Sequence, residues 1–262
     1  ASASNHIYLY FTESLSGIDQ YPDTAVVMPP AQSSINSSGE KVGLNSRNVV
    51  YQYDWDGEKL TNPILIKELF ANAGKHAGGG MTKGLNNEIY FAIGDESQNG
   101  IYENYIVDDE QERETMKFLE TSSIFKIDTK ENNSIELFAM GVRNSFGLSI
   151  DPHTGYLWAT ENGPDHFDEI NLVKPGFNSG WKILMGPTDR DFFHKGCVIS
   201  DDPYHLLQWC SNLFTGISQT FENFEYSDPE FSWYTTVGPT AIAFPDNESF
   251  GVYSNSLFVG DF

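Results

Sequence analysis

The sequence predicts an all-β fold on three observations. Aromatic residues are plentiful, with 19 Phe and 13 Tyr, and 23 Gly punctuate the chain; aromatic-rich strands between glycine turns suit all-β architectures. Short segments alternate large apolar and polar side chains, the period-two pattern of a half-buried strand. One strand type also recurs at irregular intervals, which marks an internal repeat.

That recurring strand pairs an aliphatic with an aromatic residue and ends on Gly, Asp, Glu or Asn. It is met at Ile7-Tyr8, closing on Thr12-Glu13, and at Ile89-Tyr90, closing on Gly94-Asp95. It returns at Leu157-Trp158, closing on Glu161-Asn162, and at Leu257-Phe258, closing on Gly260-Asp261. An alternating strand follows three of these, at Val49–Tyr53, Ile124–Asp128 and Glu169–Val173. A preceding inner strand is visible at Gly147–Pro152 and Thr240–Pro245. Inner strand, turn, aliphatic-aromatic strand, loop and alternating strand, in that order, describe a blade of a β-propeller. The expectation is an incomplete propeller of about four blades. It forms a single domain over residues 1–262, truncated at both ends and internal to a longer protein, and by itself is expected to be inactive. Asp108–Leu119 is charged without an apolar stripe and reads as a solvated loop. Residues 186–232 hold Gly, Pro, Asp and scattered aromatics without sustained period, and read as a long insertion over one propeller face.

Charge narrows the partners. Lys and Arg number 15 against 37 Asp and Glu, a net charge of −22. Nucleic acid and anionic membranes need a cationic face and are excluded as partners. The surplus acid keeps a surface solvated, and some of it can bind divalent cations. No stretch approaches the ~18 apolar residues of a membrane span. Ala1-Ser2-Ala3-Ser4 runs almost directly into strand, so no signal peptide is visible. Cys197 and Cys210 match no zinc framework. They form either a disulfide closing a polar surface loop or two free thiols.

Three segments carry chemistry. Lys75-His76-Ala77-Gly78-Gly79-Gly80 sets a histidine beside glycines that let backbone pack against a flat ligand. Histidine can accept a proton near neutral pH. Gly94-Asp95-Glu96-Ser97 ends a strand with an acid placed to orient the His76 imidazole and stabilise its protonated form. The third segment runs from Gly141-Val142-Arg143-Asn144 to Gly180-Trp181. In it Arg143 can clamp a carboxylate or carbonyl oxygen, and the Gly163-Pro164 turn can aim carbonyl oxygens at a hard cation.

This third run closely resembles the signature of the glucose/sorbosone dehydrogenases. It contains Gly-x-Arg-Asn at 141–144, Asp-Pro-x-Thr-Gly at 151–155 and Leu-Trp at 157–158. Glu-x-Gly-Pro at 161–164, Asp-Glu-Ile-Asn at 168–171 and Gly-x-Asn-x-Gly-Trp at 176–181 follow in order. The segment from His76 to Asp95 resembles the family's earlier motif, a His followed by Gly-Gly and a strand ending in Gly-Asp.

The resemblance implies a six-bladed propeller, secreted or periplasmic, binding pyrroloquinoline quinone (PQQ) and calcium. It implies oxidation of an aldose to its lactone by hydride transfer to the quinone. His76 would be the general base and Asp95 would orient it. Arg143 and Asn144 would contact PQQ, with Arg143 near the reactive carbonyl. The backbone carbonyls of Gly163 and Pro164 would hold the calcium. The implied partners are a sugar substrate and an unidentified electron acceptor. Two positions depart from the pattern: Gly80 stands where the family has Arg, and Phe146 where several PQQ-binding members have Gln. The competing expectation is a non-catalytic propeller that binds a protein or carbohydrate ligand, because a fold outlasts the activity it carries.

Overall fold

The computed structural model describes residues 5–14, 34–35, 41–42, 46–71, 76–96, 100–104, 119–187, 223–245 and 248–261. Within them the protein is built of strands, with one 3₁₀ segment, Glu248–Tyr253.

The first sheet has the order β1 (His6–Ser14), β4 (Ser46–Trp55), β5 (Leu60–Leu69), all antiparallel. A two-stranded ribbon, β2 (Ser34–Ile35) and β3 (Lys41–Val42), lies between β1 and β4 in sequence. Strand β5 contains Pro63, which cannot donate to a ladder and is tolerated on an edge. The register slips beside it, between Gln52 and Asp54 of the partner strand. Asn62 takes a positive φ of 50° at this bulge.

The second sheet is a meander of β6 (Met81–Lys83), β7 (Ile89–Ile93), β8 (Ser123–Asp128) and β9 (Ser134–Met140). It is extended in parallel by β13 (Phe177–Asn178) and β14 (Glu225–Tyr226). The third comprises β10 (Leu148–Ile150), β11 (Leu157–Glu161), β12 (His166–Val173) and β15 (Phe231–Thr235). The fourth pairs β16 (Ala241–Ala243) with β17 (Phe258–Gly260). The leading strands of the last three sheets adjoin, with β10 touching both β6 and β16.

Strand β7 explains the layering. All five of its residues are buried, so both of its faces are covered. By the two-residue period, Ile89, Phe91 and Ile93 point one way, packing with Phe125 and Ile127 against Val50 and Leu69 of the first sheet. Tyr90 and Ala92 point the other way, packing with Ile124 and Phe138 against Leu148, Leu157 and Ala159 of the third. Sheets therefore stack face to face with an apolar layer between them. Each large apolar side chain fully buried there contributes about 1.5–3 kcal/mol. Ring pairs add geometry: Phe91 stacks on Phe125 at 5.4 Å, and Tyr90 meets Phe138 edge-on at 4.9 Å.

The stretch 186–232, expected as one insertion, is interrupted by regular structure. It contributes β14 to the second sheet and enters β15, which closes the third. Phe231, Trp233 and Tyr234 are bulky on both faces of an edge strand, so no period-two signal announces them. Residues 188–222, Cys197 and Cys210 among them, lie outside the described residues, as do 108–118 of the expected loop. Among the described residues no helix is long and apolar enough to cross a membrane.

Candidate active site

The site grows out of the C-terminal end of β7. Gly94 lies where two loops meet: a Cβ there would stand 2.6 Å from the Arg143 carbonyl oxygen and 2.7 Å from that of His76. Only glycine permits such an approach. The backbone closes around it. Gly94 N–H donates to His76 O at 3.1 Å, and Asp95 N–H donates to Arg143 O at 2.8 Å. The segment 76–80 is pressed against the same strand. A Cβ on Gly78, whose φ is +83°, would sit 2.2 Å from Ala92 O. The Tyr10 hydroxyl donates to Ala77 O at 3.0 Å and pins the loop from the first sheet.

These contacts bring His76 and Asp95 together beside the backbone of Arg143. His76 Nδ1 lies 2.5 Å from Asp95 Oδ1. The acid is 8% exposed and the imidazole 22%, so the pair is shielded from below and open above. With Nδ1 committed to Asp95, Nε2 is the ring nitrogen that can take a proton. His76 itself has a positive φ of 51°, a conformation non-glycine residues seldom hold unless their surroundings enforce it.

Arg143 is held by oxygens. One guanidinium nitrogen donates to Asn162 O at 2.8 Å and to Gly163 O at 3.0 Å. The group lies over the Trp181 ring at 5.2 Å. Gly163, one of the two residues assigned to a cation from sequence, thus turns its carbonyl to a positive charge. The second converging carbonyl belongs to Asn162, a position the sequence reading passed over. Asn144 is buried, and its Oδ1 has no hydrogen-bond partner among the described residues. A buried acceptor left in this way fits a donor brought by a ligand.

The two departures from the family pattern touch. A Cβ on Gly80 would lie 3.0 Å from the Phe146 carbonyl oxygen and 3.2 Å from Leu148 Cγ. An Arg at position 80 requires the 146–148 backbone to give way. The Phe146 ring is exposed.

Buried acids surround this centre, and the sequence reading gave them no role. Glu161 and Glu169 face each other across β11 and β12. Glu161 accepts from Arg143 N–H at 2.6 Å and Ser179 Oγ at 2.6 Å. Asn171 Nδ2 donates to both carboxylates at 3.1 Å, and Gly186 N–H donates to Glu169. Burial pushes both acids up, and the charge of Glu161 adds to the rise of Glu169. Glu103 is pushed up to about 8, chiefly by burial and further by the Asp95 charge, against the N–H that Gly100 donates to it. Asp168 accepts from Gly163 N–H at 2.8 Å, Val237 N–H at 2.6 Å and Gly238 N–H at 2.8 Å. The acids lie in motifs visible in sequence, but burial of a carboxylate has no sequence signal of its own. Beside the 161–166 turn, His166 stacks on Tyr234 at 4.6 Å.

Comparison with known proteins places this arrangement. The family model described as Glucose / Sorbosone dehydrogenase matches residues 2–190. Quinoprotein glucose dehydrogenase B of Acinetobacter calcoaceticus is 26% identical over 156 residues, covering 53% of this chain and 32% of that protein. Aldose sugar dehydrogenase YliI of Escherichia coli is 25% identical over 125 residues, covering 48% and 28%. A solved glucose dehydrogenase superposes with a TM-score of 0.62 at 19% identity, over 98% of this chain and 62% of its own. The soluble aldose sugar dehydrogenase from E. coli, in its apo form, gives 0.57 at 16% identity, over 98% and 62%. The chain thus spans about three-fifths of the solved structures and about a third of the curated relatives it matches.

Proposed function

The chain belongs to the glucose/sorbosone dehydrogenase family, and from that premise we propose that its site serves PQQ- and calcium-dependent oxidation of an aldose to its lactone. The observation that carries this reading is the His76–Asp95 contact of 2.5 Å at the same strand end as Arg143. Oxidation of a sugar hydroxyl takes a proton from its oxygen and a hydride from its carbon; a base, an acid that orients it and a fixed cation beside a bound quinone that accepts the hydride would serve it.

His76 Nε2 takes the hydroxyl proton, while Asp95 holds the ring by Nδ1 and fixes its orientation. Arg143 would hold the quinone by an oxygen, a strong contact because the guanidinium is charged, and the buried Asn144 Oδ1 would accept from a donor on the same ligand. The Gly163–Pro164 turn would supply carbonyl oxygens suited to calcium; one of them, Gly163 O, already faces the positive charge of Arg143. When bound, PQQ supplies the two-electron acceptor for the hydride, and calcium supplies positive charge beside it. Arg143 adds to that field in a site partly screened from water.

We read the four main sheets as successive blades of a six-bladed propeller. Their face-to-face stacking and the adjoining strands β6, β10 and β16 support this. An exported protein with an unidentified electron acceptor accords with it.

The test is a titration. Metal-stripped full-length protein receives PQQ with and without calcium, and a redox dye reports turnover across a panel of aldoses. Calcium-dependent quinone binding with aldose-dependent dye reduction is the expected result. Quinone binding that ignores calcium, or no reduction with any aldose, contradicts the proposal.

A further inference from the structure

We infer that Asp168 is a positioning residue that sets the carbonyl turn at 162–164 and, through it, the Arg143 guanidinium. The inference rests on the proposed role of that turn in holding calcium beside the quinone.

Asp168 is 1% exposed. Its two oxygens take three backbone N–H groups from two separate segments, Gly163 on one side and Val237 with Gly238 on the other. Among the described residues no cationic side chain pairs with it, and its hydrogen bonds are all from backbone N–H groups. Such charge-assisted bonds are short and directional.

The lever is one peptide plane. The Asn162–Gly163 bond is trans, so its N–H and C=O point in opposite directions. Asp168 draws the Gly163 N–H to one side, which turns the Asn162 carbonyl to the other, where Arg143 donates to it at 2.8 Å. The next peptide, Gly163–Pro164, has no N–H to anchor it. Its carbonyl is placed by the plane before it.

The surrounding chain is bent to make the contact. A Cβ on Gly163 would collide with His166 O at 2.2 Å and Phe167 O at 2.6 Å. Phe167, just before the acid, holds a φ of +66°, an uncommon state for a bulky residue. Two conformational costs therefore bracket the same hydrogen bond. Asn162 Nδ2 also reaches Pro239 O at 3.3 Å, so the turn and the 237–239 segment are tied twice. Asp168 couples the carbonyl turn to the connection that leads into the fourth sheet.

Asp168→Asn tests this. An amide in the same place cannot accept on both sides, so one of its partners faces a donor. The readout is the calcium concentration that half-saturates PQQ binding, followed by absorbance on metal-stripped protein. Outer-shell changes of this kind cost about 10–100-fold in metal affinity, and that rise is expected. Leu157→Ala, a core change remote from the turn, is the control. It lowers thermal stability and should leave the calcium half-saturation point where it is in the wild type. If Asp168→Asn does not fold, Asp168→Glu keeps the charge, displaces it by one methylene and should raise the calcium requirement in the same direction. A variant that melts earlier but binds PQQ with wild-type calcium dependence overturns the positioning role and leaves the cofactor reading intact. Wild-type protein that binds no PQQ with calcium present overturns the cofactor reading, and the inference with it.

Discussion

His76 is the residue on which the proposed chemistry turns, and its surroundings are specific. It sits at φ 51° with its carbonyl bonded to Gly94 and its ring to Asp95. Replacing His76 by Ala should leave PQQ affinity nearly unchanged and lower turnover ~10²–10⁴-fold, the usual worth of general acid–base catalysis. Asp95→Asn should lose less, because the base remains and only its orientation and charge stabilisation suffer. Steady-state kinetics beside a quinone titration separates the two effects. Glu103 makes a second prediction. Its folded value near 8 stands above the ordinary 4.5, so the folded state binds the extra proton between those limits. Stability from this group is present below about pH 4.5 and is lost as pH rises towards 8. Glu103→Gln cannot ionise. Its melting temperature should fall less than that of the wild type between pH 5 and pH 8, measured on metal-stripped protein. Equal falls would remove Glu103 from the pH dependence.

Strand β7 is the element that joins core to site. Truncating Phe91, fully buried between the first two sheets, should cost about 3–5 kcal/mol in denaturant unfolding. Gly94→Ala acts at the other end of the strand. Its Cβ would meet the His76 and Arg143 carbonyls and His76 Cβ, all within 2.8 Å. Overpacking of this kind costs about 1–3 kcal/mol. Because the two loops must separate, activity should fall further than stability alone explains. Much of this element was legible: Ile89–Ile93 reads as a strand, and the closing Gly-Asp marks its functional end. Strand β9 was legible in principle, since Ile135, Leu137 and Ala139 alternate with Ser134, Glu136 and Phe138, yet the alternation is mild and breaks at Phe138. Strand β5 is hidden by Pro63 and its bulge. Strand β15 is hidden because an edge strand with bulky residues on both faces has no period.

At the scale of the whole molecule, separate stretches of sequence meet at one strand end. The motif residues were legible because each sits where the backbone itself is constrained: glycines at close approaches, an acid at a strand terminus, a Gly-Pro turn. What was not legible is how they are tied. The Asn162 carbonyl, the three N–H bonds of Asp168 and the facing Glu161 and Glu169 depend on cross-strand register, which no local pattern encodes. The central claim is that His76, Asp95 and Arg143 form one oxidising centre around a quinone. Its most direct test is rapid mixing of aldose with protein preloaded with PQQ and calcium, following the absorbance of the bound quinone through a single turnover. The expected result is aldose-dependent quinone reduction in the wild type and reduction slowed ~10²–10⁴-fold in His76→Ala. Quinone reduction at the same rate in both proteins would contradict the account.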